Sequence, residues 1–152
     1  MKYSSLIMVS MLTACAPEVR TPNVDLCAQT VRDYGTLRDE GPAESYADLF
    51  TPDGEFHLGP NVTKGRDALI ARHIASNADT VWRHNMTDIR ISEPKEGLTG
   101  VTRFHIFMGS RSDKPSQPTR EIIGDYIDQF VMDGTICKIK SRKVKIVFDT
   151  LN

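Results

Sequence analysis

The second half of the chain alternates apolar and polar residues along four long stretches, which is the period of two expected for half-buried β-strands. These stretches are rich in Val, Ile, Thr, Phe and Tyr, residues that favour strands. Strands are therefore predicted over 80–92, 100–110, 119–133 and 135–148. The dipeptide Asp133-Gly134 between the last two is a signal for a tight hairpin.

The first half instead repeats its apolar residues every three or four positions, as amphipathic helices do. Asn23 is a suitable cap for a first helix, which Gly41-Pro42 ends. Two further helices are predicted over 43–50 and 66–77, separated by a turn over 51–54, a short strand over 55–58 and a loop over 59–65. Helices first and antiparallel strands later predict an α+β domain rather than alternating βαβ units.

The N-terminus carries one cation, Lys2, before a short apolar run that ends in Leu-Thr-Ala-Cys. This arrangement resembles a bacterial lipoprotein signal, and the run is too short to cross a bilayer. The resemblance implies a signal peptide over 1–14, cleavage before Cys15, and a lipidated Cys15 that anchors the protein in the cell envelope. The alternatives are a plain secretory signal and a weakly apolar N-terminus with a chance cysteine.

The residue after the lipidated cysteine, Ala16, is uncharged, which by the same resemblance implies the outer membrane, facing the periplasm. Residues 15–23 contain two prolines and few apolar groups, so they are expected to form a tether. One domain is then expected over 24–150, a length that suits a single continuous core.

The charges of the chain are nearly balanced, with 19 Lys and Arg against 20 Asp and Glu, so nothing attracts nucleic acid electrostatically. One local excess of basic residues alternates with apolar positions and is interpreted as the solvent-facing side of a strand, without a ligand. It comprises Lys138, Lys140, Arg142, Lys143 and Lys145.

With Cys15 assigned to lipid, Cys27 and Cys137 remain as a pair in a compartment that permits oxidation. A disulfide between an early helix and a late strand and two buried free thiols are both compatible with this pattern. No Cys-x-x-Cys motif and no recognised histidine spacing indicates a metal, and no cofactor is expected.

The order of the predicted elements, with four motifs, is similar to that of the SnoaL-like members of the nuclear transport factor 2 superfamily. The motifs are Tyr-Ala-Asp-Leu-Phe-Thr-Pro-Asp-Gly-Glu-Phe over 46–56, Lys-Gly-Arg-Asp-Ala-Leu-Ile over 64–70, Arg-His-Asn over 83–85 and Gly-Asp-Tyr-Ile-Asp-Gln-Phe over 124–130. The resemblance covers residues 24–148. It implies a cone-like, curved antiparallel sheet with three helices on its concave face and a pocket at the open end.

Dehydratases of that family place an acid late in the first helix and a histidine on the first long strand, and these positions correspond to Asp39 and His84. The resemblance therefore implies a carboxylate-oriented general base that works without a metal or cofactor. Solvated surface charge is the alternative for Asp39. The dehydratases have a tyrosine where this chain has Arg38, so a hydroxyl donor is expected from Tyr34 or Tyr126 instead.

Strand alternation assigns the remaining candidates. His84 shares a face with Trp82, and each is either a pocket residue or part of the core. His105 on the next strand is expected to approach His84 as a hydrogen-bond partner. Tyr126 and Asp128 share an otherwise apolar face, so Asp128 either lines a wet pocket or pairs with a buried cation.

Three functions are compatible with these features, because this fold hosts many activities. The preferred one is a membrane-anchored domain that binds a small, largely apolar molecule, with catalysis left open. The second is a cofactor-free lyase or isomerase that uses Asp39 and His84. The third is an envelope assembly module that forms a homodimer through the outer face of the sheet.

Overall fold

A computed structural model of the protein describes residues 21–112 and 117–151. The predicted signal peptide, Cys15 and most of the predicted tether lie outside these residues. Within the described ranges, no helix is both long enough and apolar enough to cross a membrane.

The described residues form three helices and a curved sheet of six strands in the order β2-β1-β6-β5-β4-β3. All neighbouring strands are antiparallel except β1 and β6, so the sheet is mixed rather than wholly antiparallel. The predicted α+β class is confirmed. The elements are α1 (Pro22–Glu40), α2 (Ala43–Ala47), β1 (Phe50–Leu58), β2 (Asn61–Lys64), α3 (Arg66–Asn77), β3 (Thr80–Ser92), β4 (Thr99–Ser110), β5 (Arg120–Asp133) and β6 (Ile136–Asp149).

The four long strands and α3 agree with their predicted bounds to within one residue. The predicted loop over 59–65 is wrong, because 61–64 form β2 by pairing with the end of β1. The predicted turn over 51–54 lies inside β1, at a register shift in its pairing with β6. Strand β2 is polar and mostly exposed, so it lacks the apolar alternation of a half-buried strand, whereas the partner that places 51–54 in a strand is the distant β6.

Helix α1 begins at Pro22, and its N-cap position is Thr21, two residues before the predicted cap Asn23. The Thr21 hydroxyl donates to Glu93 Oε2 at 2.6 Å, and the Asn23 amide donates to Glu93 Oε1 at 2.8 Å. Asn23 is therefore not a cap. The last residues of the predicted tether belong to the folded domain and fasten it to the loop between β3 and β4.

Helix α1 packs on β3 and β6 and is joined to β6 by a disulfide between Cys27 and Cys137. Both cysteines are buried in the core. The Thr30 hydroxyl adds a hydrogen bond of 2.9 Å to the carbonyl oxygen of Cys137. The two open alternatives for the cysteine pair are thus resolved in favour of the disulfide.

The inner face of the sheet, which carries the buried even-numbered residues of β4 and β5, contains an ion pair. Arg142 and Asp128 are fully buried and joined by two hydrogen bonds, Nε to Oδ1 at 2.8 Å and Nη2 to Oδ2 at 2.7 Å. The solvent-facing position predicted for Arg142 is therefore wrong. A register shift in β6 after Ile139 turns Arg142 and Val144 to the inner face.

Candidate active site

A cavity of about 110 Å³ lies on the inner face of the sheet, bounded by α1, α3 and strands β1, β3, β4, β5 and β6. Its lining is mostly apolar and aromatic, including Phe104, Ile106 and Ile122. A few polar groups converge on it: one histidine, two tyrosines and three arginines. An apolar cavity with few convergent polar groups is the usual form of a small-molecule site.

Asp39 in the last turn of α1 meets His84 of β3 beside this cavity. The distance from His84 Nδ1 to Asp39 Oδ1 is 2.5 Å, and the backbone N–H of His84 donates to Asp39 Oδ2 at 2.8 Å. Both side chains are buried, with exposed fractions of 2% for His84 and 9% for Asp39. Asp39 is therefore not a solvated surface charge, and the structure brings together the two residues that the family resemblance paired.

The carboxylate fixes the tautomer of His84, because Asp39 can only accept a hydrogen bond and Nδ1 must therefore carry the proton. The opposite ring nitrogen, Nε2, has no hydrogen-bond partner among the described residues, and His84 lines the cavity. Its lone pair is thus available to a bound molecule.

A glycine sets the distance between α1 and β3 at this point. A Cβ atom on Gly35 would lie 3.2 Å from Met86 Cγ and 3.7 Å from His84 Cβ. Because Gly35 has no side chain, the helix approaches the strand closely enough for the Asp39 carboxylate to reach both the ring and the backbone of His84.

The surroundings of His84 favour the neutral imidazole. Burial is the largest influence and lowers the pKa of His84 below its ordinary value. The carboxylate of Asp39 acts in the opposite direction, while the positive charges of Arg38 and Arg142 lower the pKa further. His84 is consequently a neutral base at pH 7, with its proton on Nδ1.

Two tyrosines stand next to this base on the cavity wall. The Tyr34 ring meets His84 edge-on with 6.1 Å between centroids, and Tyr126 meets Tyr34 with 5.5 Å between centroids. Burial, with the neighbouring Tyr34, raises the pKa of Tyr126 well above its ordinary value. Tyr126 therefore keeps its proton and is a hydrogen-bond donor rather than an acid that ionises.

Trp82 forms another wall of the cavity and also belongs to the core. Its ring is stacked on His84 with 6.0 Å between centroids and an angle of 24°. Its indole N–H donates to the carbonyl of Ser76 at 3.0 Å. Trp82 is therefore both a pocket residue and part of the core, the two alternatives given for it.

Asp128 does not line the cavity and lies behind the tyrosines, where it pairs with Arg142. The guanidinium carbon of Arg142 is 3.9 Å from the Tyr34 ring centroid and 4.3 Å from that of Tyr126. Of the two alternatives for Asp128, pairing with a buried cation is the one observed. The guanidinium of this pair thus packs against both tyrosine rings.

His105 does not approach His84, contrary to the prediction. Strands β3 and β4 do pair, but His84 lies opposite Ile106 while His105 lies opposite Asn85. Because alternate residues point to opposite faces, His105 is on the outer face, where its Nε2 is 3.0 Å from Glu121 Oε2.

The cavity also has a positively charged lining that was not predicted from the sequence, and it comes from Arg38, Arg72 and Arg120. One signal was present for Arg72, since it follows the buried Leu69 by three positions and therefore shares its side of α3. Among the described residues, no group of three or more His, Cys, Asp or Glu side chains is placed to hold a metal ion.

The chain belongs to the SnoaL-like domain family, whose model matches residues 22–143. No curated protein matches it significantly in sequence. Among solved structures, a Mycobacterium tuberculosis protein of unknown function is 20% identical with a TM-score of 0.71, over 82% of this chain and 71% of that one.

Two other similar structures have named activities. A putative scytalone dehydratase from Novosphingobium aromaticivorans is 24% identical with a TM-score of 0.68, over 83% of this chain and 85% of that one. A hexachlorocyclohexane dehydrochlorinase is 14% identical with a TM-score of 0.68, over 83% and 86% respectively. At these identities the likeness concerns the fold.

Proposed function

We propose that this SnoaL-like domain is a cofactor-free enzyme, a lyase or isomerase, that removes a proton from a carbon atom of a small, largely apolar molecule. The observation that carries the proposal is the buried Asp39–His84 pair, whose Nε2 lone pair is available at the cavity. The names of two structural neighbours, a dehydratase and a dehydrochlorinase, describe eliminations and are consistent with it.

In this mechanism His84 Nε2 accepts the proton, and the electron pair of the broken C–H bond moves into a new double bond. In an elimination, a leaving group departs from the adjacent carbon with its own electron pair. In an isomerisation, the imidazolium returns the proton to another carbon. Asp39 stabilises the imidazolium. Tyr34 or Tyr126 donates a hydrogen bond to the substrate oxygen that gains negative charge.

The base is tested with a nitrobenzisoxazole, a neutral carbon acid that reports proton removal directly. Loss of its C–H proton breaks the ring N–O bond and gives a coloured cyanophenolate. We expect the wild type to accelerate this reaction and His84→Ala to be slower by about 100-fold or more. His105→Ala is the matched control, because that histidine lies on the outer face of the sheet.

A His84→Ala variant that keeps the wild-type rate contradicts the proposal, as does a wild type no faster than free imidazole. Such a result, with bound ligand retained, favours the alternative in which the cavity only binds a small molecule. NMR gives an independent check, because the proposal requires a neutral His84 with its proton on Nδ1 at pH 7.

We also propose that the domain is held at the membrane through lipidated Cys15, after removal of residues 1–14, in the outer membrane facing the periplasm. The Leu-Thr-Ala-Cys motif and the apolar run before it support this. Mass spectrometry of the protein extracted from the envelope is the test. An intact Met1 or a free Cys15 thiol contradicts the anchor.

A homodimer through the outer face of the sheet is a further proposal, supported by apolar side chains exposed there. Ile127 and Val131 of β5 are 43% and 41% exposed, and Phe148 of β6 is 67% exposed. Light scattering on the chain from Thr21 onward tests this proposal. A strict monomer at high concentration, or an Ile127→Lys variant as dimeric as the wild type, contradicts it.

A further inference from the structure

Arg72 is a cation at the cavity that has no anionic partner among residues 21–112 and 117–151. Its guanidinium carbon lies 4.3 Å from the centroid of the Phe56 ring, and its Nε is buried without a hydrogen-bond partner. Among the described residues, no carboxylate forms an ion pair with it. Two other arginines differ, since Arg120 pairs with Asp149 at 2.5 Å and Arg142 pairs with Asp128 at 2.7 Å.

Arg38 adds a second positive charge in the same region, and no carboxylate in the described part of the chain forms an ion pair with it. Its guanidinium donates to two neutral acceptors, the Asn77 side-chain oxygen and the Ser76 hydroxyl, and lies 4.4 Å from the Trp82 ring centroid. Arg38 and Arg72 both act on the Tyr46 phenol, whose pKa burial raises and these two charges lower. The guanidinium groups of Arg38 and Arg72 therefore both lie near Tyr46.

In the described part of the chain the nearby acid Asp39 forms no ion pair with either arginine, because both of its oxygens accept hydrogen bonds from His84, but its negative charge offsets one of the two positive charges. His84 itself is neutral. In this mostly apolar cavity two guanidinium groups stand against one nearby carboxylate, so an excess of positive charge remains that an entering anion would neutralise.

We propose that the substrate of this cavity carries a carboxylate and that Arg72 binds it, with Arg38 adding to the positive field. The inference rests on the general-base function proposed above, because it takes the same cavity as the substrate site. The planar guanidinium matches a carboxylate, which accepts two parallel hydrogen bonds from it. Fixing one end of the substrate in this way would hold its reacting carbon at a defined distance from His84 Nε2.

Benzoate and benzamide are suitable probes, since they share the same ring and shape and differ in charge. Isothermal titration calorimetry on the purified protein is expected to give tighter binding of benzoate. In Arg72→Gln, benzoate binding is expected to weaken by about tenfold or more, because hydrogen bonds between charged groups are lost. Arg72→Lys keeps the charge and is expected to retain part of the affinity.

Arg32→Gln is the matched control, because Arg32 is an exposed residue of α1. Circular dichroism of each variant verifies that the fold is intact. A second readout is the pKa of His84 measured by NMR, which benzoate is expected to raise by placing negative charge near the imidazole. Benzamide is expected to leave it unchanged.

The inference is overturned if benzoate binds no better than benzamide, if neither binds at millimolar concentration, or if Arg72→Gln binds benzoate like the wild type. The two proposals fail separately. Benzoate binding through Arg72 without His84-dependent turnover would contradict the proposed enzyme activity and support the anion site. Turnover that depends on His84, without a preference for benzoate over benzamide, would contradict only the proposed anion site.

Discussion

Asp39 holds His84 at two points, because one carboxylate oxygen accepts from the ring Nδ1–H at 2.5 Å and the other from the backbone N–H at 2.8 Å. The same carboxylate thus orients the proposed base and joins the end of α1 to β3. Function and stability are combined at this residue, and two substitutions separate them.

Asp39→Asn and Asp39→Ala are both expected to slow nitrobenzisoxazole turnover by about 100-fold, since neither can stabilise the imidazolium. They are expected to differ in stability. Alanine leaves the buried N–H of His84 without an acceptor, which costs about 1–3 kcal/mol, whereas the asparagine oxygen still accepts this bond. Urea unfolding measures the difference, and equal stabilities would show that the backbone hydrogen bond is unimportant.

The turnover rate is expected to depend on pH through His84. Since burial, the largest influence, lowers the pKa of His84 below its ordinary value of 6.5, the rate should be level at neutral pH and fall only below pH 6.5. The carboxylate of Asp39 raises this pKa, so in Asp39→Asn the fall should move to still lower pH while the plateau decreases. A pH–rate profile with its acid limb above 6.5 contradicts this assignment.

The disulfide between Cys27 and Cys137 closes a loop of 110 residues and is expected to contribute substantially to stability. By the loop-entropy relation, opening it should lower the free energy of unfolding by about 5 kcal/mol. Urea unfolding with and without reductant measures the loss. The control is the Cys27→Ser, Cys137→Ser double variant, in which reductant should have no effect; an effect of reductant there points to another cause.

The buried Arg142–Asp128 pair is expected to be sensitive to the loss of either partner. Arg142→Met leaves Asp128 as an unpaired buried charge and should destabilise the fold by about 3–5 kcal/mol. The Arg142→Met, Asp128→Leu double variant removes both charges and should recover much of this loss. A double variant that loses as much stability as the two single changes combined would show that the residues contribute independently.

The sequence predicted the long strands well because alternation along a half-buried strand is local information. The pairing of Asp39 with His84 could also be predicted, because the family resemblance gives both residues defined positions in the fold. Arg142 was missed although a signal existed. The apolar residues of β6 are odd-numbered at Cys137 and Ile139 and even-numbered at Val144 and Ile146, and this switch marks an extra residue that places Arg142 inside.

Other features depend on contacts that the spacing of apolar residues does not record. Strand β2 is polar and exposed, and it exists because its backbone pairs with β1, as at Glu55 and Lys64. The uncompensated charge of Arg72 depends on which acids stand near it in three dimensions. A sequence shows how many cations a chain has, whereas only the fold shows which of them lack a partner.

The direction of α1 has a consequence for how the proposed anchored enzyme meets its substrate. The helix enters the domain at Pro22, where the tether would arrive from the membrane, and carries Asp39 seventeen residues later, at a distance of about 25 Å along its axis. The point at which the proposed tether joins the domain and the reacting groups therefore lie at opposite ends of one helix. In the proposed anchored enzyme, the attachment to the membrane would thus be made at the end of α1 remote from Asp39 and His84.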